Sequence, residues 1–214
     1  PPTLTNGNVH GIIVLNVYNE RLLRLLAETQ IPKVFLDTSS LVAPDELNGD
    51  LLLMESRTSV RRITCHLLEQ GRTLPGFIGD ISYAQSNRER YEGFCQALTY
   101  AGKKVDSSLC LTTPLGIDTY REEIDTFLSS LSRMPDAFVC ASDYVACILM
   151  QLLEKRGLRV PEDVAVSGFD NNTEDLLAEH LTTVQVFNEE LGARLALQIL
   201  YRIKYPNTPH EVTY

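Results

Sequence analysis

Short apolar runs alternate with amphipathic stretches of helical length along almost the whole chain, and this alternation narrows the fold more than any other feature. Runs of strand length fall at 11–15, 34–37, 51–54, 76–79, 109–111, 137–141, 164–169 and 184–187. Between them lie helix-like stretches at 19–29, 56–70, 87–101, 118–131, 142–156 and 189–203. Leu22, Leu23, Leu25 and Leu26 form one stripe, and Gly71, Gly102 and Gly157 stand where helices should stop. Continuous apolar strands separated by helices predict βαβ units, with parallel sheets covered by helices on both faces. No repeat, low-complexity tract or Gly/Ser linker interrupts the pattern, so two lobes would be joined by short crossovers.

Size and charge remove several classes. The chain has 214 residues, enough for one large domain or two lobes. With 19 Lys+Arg against 28 Asp+Glu, the formal charge of −9 disfavours a general binder of phosphate backbones. Arg57, Arg61 and Arg62 form the one basic cluster, read as a solvated helix face. No run of about 18 apolar residues exists to span a membrane. Pro1–Asn6 lacks the basic and apolar parts of a leader. Neither end resembles a natural terminus, and a fragment is expected. Five cysteines without a CxxC pair point to a reducing compartment, and they are expected to be buried, reduced packing residues. The four histidines form no zinc-type spacing, and no GxGxxG, Walker-A, GxSxG or HExxH string occurs. No catalytic residue, metal or cofactor is therefore expected.

In parallel α/β sheets, ligands gather outside the carboxyl ends of strands. Those ends carry Asp37, then Ser82 and Tyr83, then Ser86 to Arg90 opening a helix. Ser142-Asp143 and Asp170-Asn171-Asn172 follow later strands, with Tyr18, Phe169 and Phe187 as further aromatic candidates beside Tyr83. Carboxylates accept from vicinal hydroxyls, a guanidinium donates as a fork, and aromatic faces cover a sugar ring, so the set suits a polyol. Each residue also has a plainer role. Ser142 would cap the next helix, Asp37 and Asp170 would close turns, and Arg90 would pair with Glu89 or Glu92. An arginine in a first helical turn opposes the helix dipole, which favours a functional reason for Arg90.

Several strings together resemble one family. Ser86-Asn87-Arg88-Glu89-Arg90-Tyr91-Glu92-Gly93-Phe94 is similar to S-x-x-x-R-x-x-G-F, and Val139 to Ala146 to V-x-A-N/S-D-x-x-A. Leu158 to Asn171, Leu181-Thr182-Thr183-Val184 and Glu190-Leu191-Gly192 continue in the same order. From about Val9 to Tyr214 the chain resembles the LacI/GalR family of bacterial transcriptional regulators. The resemblance implies a periplasmic-binding-protein-like core of two α/β lobes, 1–55 plus 187–214 and 56–186. The first lobe would be incomplete at its start, and the family's N-terminal DNA-binding domain would lie outside this chain. Family effector contacts map onto Asp37, Arg90, Ser142 and Asp170, with Ser86 and Met54 at pocket-lining positions. Ser142 for the commoner asparagine, Glu55-Ser56 for Asp-Asn, and Val186-Phe187 for Gln-Pro are departures that bear on which effector is bound.

The function so implied is the effector-sensing and dimerisation core of a sequence-specific cytoplasmic regulator, a repressor of sugar-utilisation genes. It would bind a small sugar or related metabolite between its lobes and operator DNA through the further domain. The alternative is a periplasmic-type sugar-binding protein of a transporter. A homodimer is expected, through Arg57–Cys65 and Leu23–Ala27. Arg90 and Asp170 are expected at the cleft surface, so that replacing either should affect folding much less than affinity.

Overall fold

A computed structural model describes residues 7–116, 118–171 and 181–214; Pro1–Asn6 and Asn172 lie outside them. Among the described residues the order is β1 (Ile12–Leu15), α1 (Glu20–Ala27), β2 (Lys33–Leu36), β3 (Asp50–Leu52), α2 (Arg57–Glu69), β4 (Pro75–Ile78) and α3 (Gln85–Tyr100). Then come β5 (Cys110–Leu111), α4 (Tyr120–Ser130), β6 (Ala137–Cys140), α5 (Asp143–Lys155), β7 (Ala165–Ser167), α6 (Asn188–Lys204) and β8 (Val212–Thr213). The strands form two sheets, β1-β2-β3-β8 and β5-β4-β6-β7, in which every pairing is parallel. Each sheet anchors one unit. The first holds the chain up to Glu55, Tyr83–Ser86 and Phe187–Tyr214; the second holds Ser56–Ser82 and Asn87–Val186.

The central strands β2, β3, β4, β6 and β7 are buried on two faces, which explains why they read as continuous apolar runs, whereas β1 leaves Ile13 and Leu15 exposed on one face. In the first unit, Val14, Phe35, Leu51 and Leu53 pack with Leu23 and Leu26 of α1. The opposite face, Val34 and Leu52, packs with Leu195 and Ile199 of α6. In β6 the alternation is residue by residue. Phe138 and Cys140 join α4 and α5, while Ala137 and Val139 join α2 and α3. The first unit also contains a buried polar knot. Arg202 of α6 donates through Nε to Asp50 Oδ2 at 3.0 Å, through Nη2 to Asp50 Oδ1, and to the carbonyls of Thr208 and Pro209. Gln198 Nε2 and the Glu211 amide also donate to the Asp50 carboxylate.

Local signals set the helix ends. The Asn19 side chain accepts from the Leu22 amide, and Ser142 does the same for Val145. Gly71, Gly102 and Gly157 take φ of 91°, 69° and 74° at the stops expected for them.

Five expectations need correction. The run at 184–187 is not a strand; residues 182 and 185 make isolated parallel bridges to Ser167 and Asp170. The eighth strand is instead Val212–Thr213, too short to stand out by pattern, and held against Leu51 and Leu52. The α1 leucines do not share a stripe: Leu23 is buried, whereas Leu22 and Leu25 face out. Leu23 therefore belongs to the unit's own core and not to a dimer surface, and in α2 Val60 and Thr64 likewise point inward. Cys140 and Cys147 are buried, but Cys65, Cys95 and Cys110 are half-buried; all five are free thiols.

Candidate functional site

In the first unit the focus is Asp37, which follows β2 with φ of 61°, a left-handed conformation that short polar side chains tolerate best. Its carboxylate is buried and accepts from Ser86 Oγ at 2.6 Å, from the Ser86 amide at 3.2 Å and from the Thr38 amide at 2.8 Å. Tyr18 OH approaches it at 3.5 Å, and the Tyr18 and Tyr83 rings lie 4.3 Å apart, centroid to centroid. The bond from the Gln85 amide to the Thr38 carbonyl, 2.8 Å, ties residues 83–86 into this unit. A hollow of about 350 Å³ adjoins the set through Thr38 and Gln85, between the loop after Asp37 and β8. Met54 is half-buried just beyond β3, and Phe187 is exposed at the start of α6; neither joins the Asp37 set.

In the second unit the focus is Arg90, only 4% exposed. Its guanidinium carbon sits 3.7 Å from the centroid of the Phe169 ring, Nη1 donates to the Ala141 carbonyl, and Nη2 lies 3.7 Å from Asp170 Oδ1. These partners follow β6 and β7, so adjacent strand ends converge on one guanidinium. Asp170 has φ of 109°, and burial pushes its carboxyl up to about 6, with Arg90 opposing and the charge of Asp143 reinforcing the rise. Ser142 adjoins Ala141 and caps α5, its Oγ accepting from the Val145 amide at 3.3 Å.

The structure thus brings together Asp37 with Ser86, Tyr18 and Tyr83, and Arg90 with Asp170, Phe169 and the Ala141–Ser142 turn. It changes three readings. Phe169 is 1% exposed and packs beneath Arg90, so it supports the guanidinium and offers no face to a sugar. Arg90 belongs to the second turn of α3, because the helix starts at Gln85; the dipole argument for it does not hold. It is also a buried residue, since the ring and the carbonyl enclose it, and its loss is a cost to folding. Glu89 and Glu92 face Arg57, at 3.7 and 2.6 Å.

Sequence reasoning missed Asp80 and the part played by Asp143. Asp80, beyond β4, accepts from the Ser82 amide and hydroxyl, and its carbonyl accepts from Asn87. Asp143, 2% exposed, accepts from Thr183 Oγ1 at 2.6 Å. An acid in a first helical turn looks like an ordinary dipole partner, so spacing alone carries no sign of its burial. Among the described residues no group of three or more His, Cys, Asp or Glu is placed to hold a metal ion, and no helix is long and apolar enough to cross a membrane.

Residues 64–214 match the family described as the periplasmic binding protein-like domain. The chain belongs to this family. Within the periplasmic binding protein-like family it is a LacI/GalR-type effector-binding core. It is 29% identical over 210 residues to the HTH-type transcriptional repressor PurR of Actinobacillus pleuropneumoniae serotype 3 (strain JL03), covering 97% of this chain and 61% of that protein. It is 31% identical over 170 residues to the HTH-type transcriptional regulator DegA of Bacillus subtilis (strain 168), covering 78% of this chain and 48% of DegA. A solved complex of the transcriptional regulator CelR with cellobiose matches with a TM-score of 0.84 and 27% identity, covering 99% of this chain and 65% of that one. The LacI/GalR-type core thus spans about three-fifths of the length of the curated relatives first matched. These relatives are transcriptional regulators.

Proposed function

We propose that the chain is the effector-sensing and dimerisation core of a cytoplasmic repressor of sugar-utilisation genes, and that its effector is a small sugar or related metabolite. The observation that carries this reading is the Arg90–Asp170 pair over Phe169 at the carboxyl ends of β6 and β7. A fork of donors beside an acceptor-only carboxylate suits neighbouring hydroxyls. Asp37 and Ser86 supply a second acceptor and hydroxyl in the first unit. Met54 and Ser142 are further proposed contacts. Specific operator binding would need a further DNA-binding domain of the homodimeric protein. The family relatives do not favour the transport alternative.

A ligand panel with melting as the readout tests the reading, using cellobiose, D-ribose and free nucleobases. At 100 times its Kd a ligand adds about 2.7 kcal/mol to stability. A sugar should raise Tm in the wild-type chain, and calorimetric titration of Arg90→Ala and Asp170→Asn should show about 5- to 150-fold weaker binding, the equivalent of about 1–3 kcal/mol. Stabilisation by nucleobases alone would remove the sugar assignment. Unchanged affinity in both variants would remove the site.

A further inference from the structure

Asp170 carries the proposed contact, yet its own backbone is left-handed and needs to be held there by its surroundings. Both of its neighbours are tied to one buried carboxylate-bearing residue. The Asp143 amide donates to the Phe169 carbonyl at 2.8 Å. The Asp143 carboxylate accepts from Thr183 Oγ1, and that same hydroxyl accepts from the Asn171 amide at 3.3 Å. The segment carrying Thr183 runs alongside the end of β7, with the Gly168 amide bonded to the Thr182 carbonyl, Asp170 to Val184 and Val186 to Asp170. Gly168 permits this closeness, because a Cβ there would lie 2.1 Å from Asp143 Oδ1. A carboxylate serving only the α5 dipole would sit in solvent, with no need of a glycine opposite it.

We propose that Asp143 and Thr183 are positioning residues: they peg residues 169–171 to the 182–186 segment and so set where Asp170 meets the effector. This rests on the reading that Asp170 binds the effector. The peg also links the ligand-facing carboxylate to the stretch where the chain leaves the second unit, between Val186 and Phe187. Asp170 faces charge from two elements, Arg90 on α3 and Asp143 on α5.

The test needs no effector. In the full chain, amide hydrogen exchange is followed at Asp170 and Val186, with Val139 of β6 reporting the stability of the unit. The Asp170 carboxyl is titrated by carbon NMR. Thr183→Val keeps the side chain's shape and removes the hydroxyl; exchange at Asp170 and Val186 should quicken at least about tenfold, with Val139 unchanged. Thr183→Ser should restore slow exchange. Asp143→Asn keeps an acceptor but removes the charge; exchange should stay slow while the Asp170 titration moves below its wild-type midpoint. Unchanged exchange in Thr183→Val overturns the peg. So does an equal rise at Val139, or a serine variant that behaves like valine. An effector that ignores Asp170→Asn while the exchange pattern holds refutes the effector assignment and leaves the peg standing, so the two ideas fail separately.

Discussion

At the scale of single residues, Arg90 and Asp170 carry opposite costs. Arg90 has an aromatic face and a carbonyl around it, and removing it leaves Phe169 and the Ala141 carbonyl without their partner. Arg90→Ala should therefore lower stability by about 2–4 kcal/mol, read by urea unfolding, in addition to any loss of affinity. Asp170 behaves in reverse. Its carboxyl titrates near 6 in the fold, above the usual range of an unfolded chain near 4. Between those values the folded state holds more protons than the unfolded one, so stability falls as pH rises through the window, and the penalty is complete above pH 6. Asp170→Asn should raise Tm at pH 7.5, with the difference vanishing towards about pH 4. Binding should run the other way. A ligand hydroxyl donating to the carboxylate favours its charged form, so wild-type affinity should weaken as pH drops below 6, and the asparagine variant should lose that dependence. Ser142 has a cap role whatever else it does. Ser142→Ala should cost about 0.5–2 kcal/mol, and Ser142→Asp, which keeps an acceptor, should recover most of it in thermal melts.

At the scale of elements, Gly93 shows what a motif glycine is for. An added Cβ would lie 2.2 Å from the Arg57 carbonyl, so α3 crosses α2 at backbone distance. Backbone cannot step aside as a side-chain tip can. Gly93→Ala should destabilise by about 1–3 kcal/mol, measured by denaturant unfolding, with Phe94 losing its fully buried seat. The elements most visible beforehand were those whose two faces are both buried, such as β6, because both helical layers demand apolar residues and the run becomes continuous. Val212–Thr213 escaped because two residues carry no period, and Val184–Phe187 misled because an apolar run can bridge a strand end without joining the ladder. Candidate site residues were visible where chemistry and strand end coincide, as at Asp37, Arg90 and Asp170. Phe169 was misjudged because an aromatic beside a polar cluster reads the same whether it faces the ligand or supports the arginine. Asp143 was hidden because its burial depends on Gly168 and Thr183, distant in sequence.

At the scale of the whole molecule, the first unit depends on one buried ion pair between distant parts of the chain. Burial alone would raise the Asp50 carboxyl, but hydrogen bonds from Arg202, Gln198 and the Glu211 amide hold it below its usual range. Its contribution is present above the unfolded carboxylate range and is lost as pH falls through the folded value. Breaking the pair on one side, as in Arg202→Ala, should cost about 3–5 kcal/mol in equilibrium unfolding, because a buried charge is left alone.

The same arrangement has a consequence for how the protein is made. The first sheet takes three strands from the opening quarter of the chain and its fourth from residues 212–213, while α6, which covers one face, begins at residue 188. A ribosome therefore delivers β1, β2 and β3 long before the pieces that shield them, whereas nearly all of the second unit emerges in one stretch. Order of synthesis and order of maturation should therefore differ: the second unit gains protection against protease first, and β1, β2 and β3 wait for α6 and β8 to arrive.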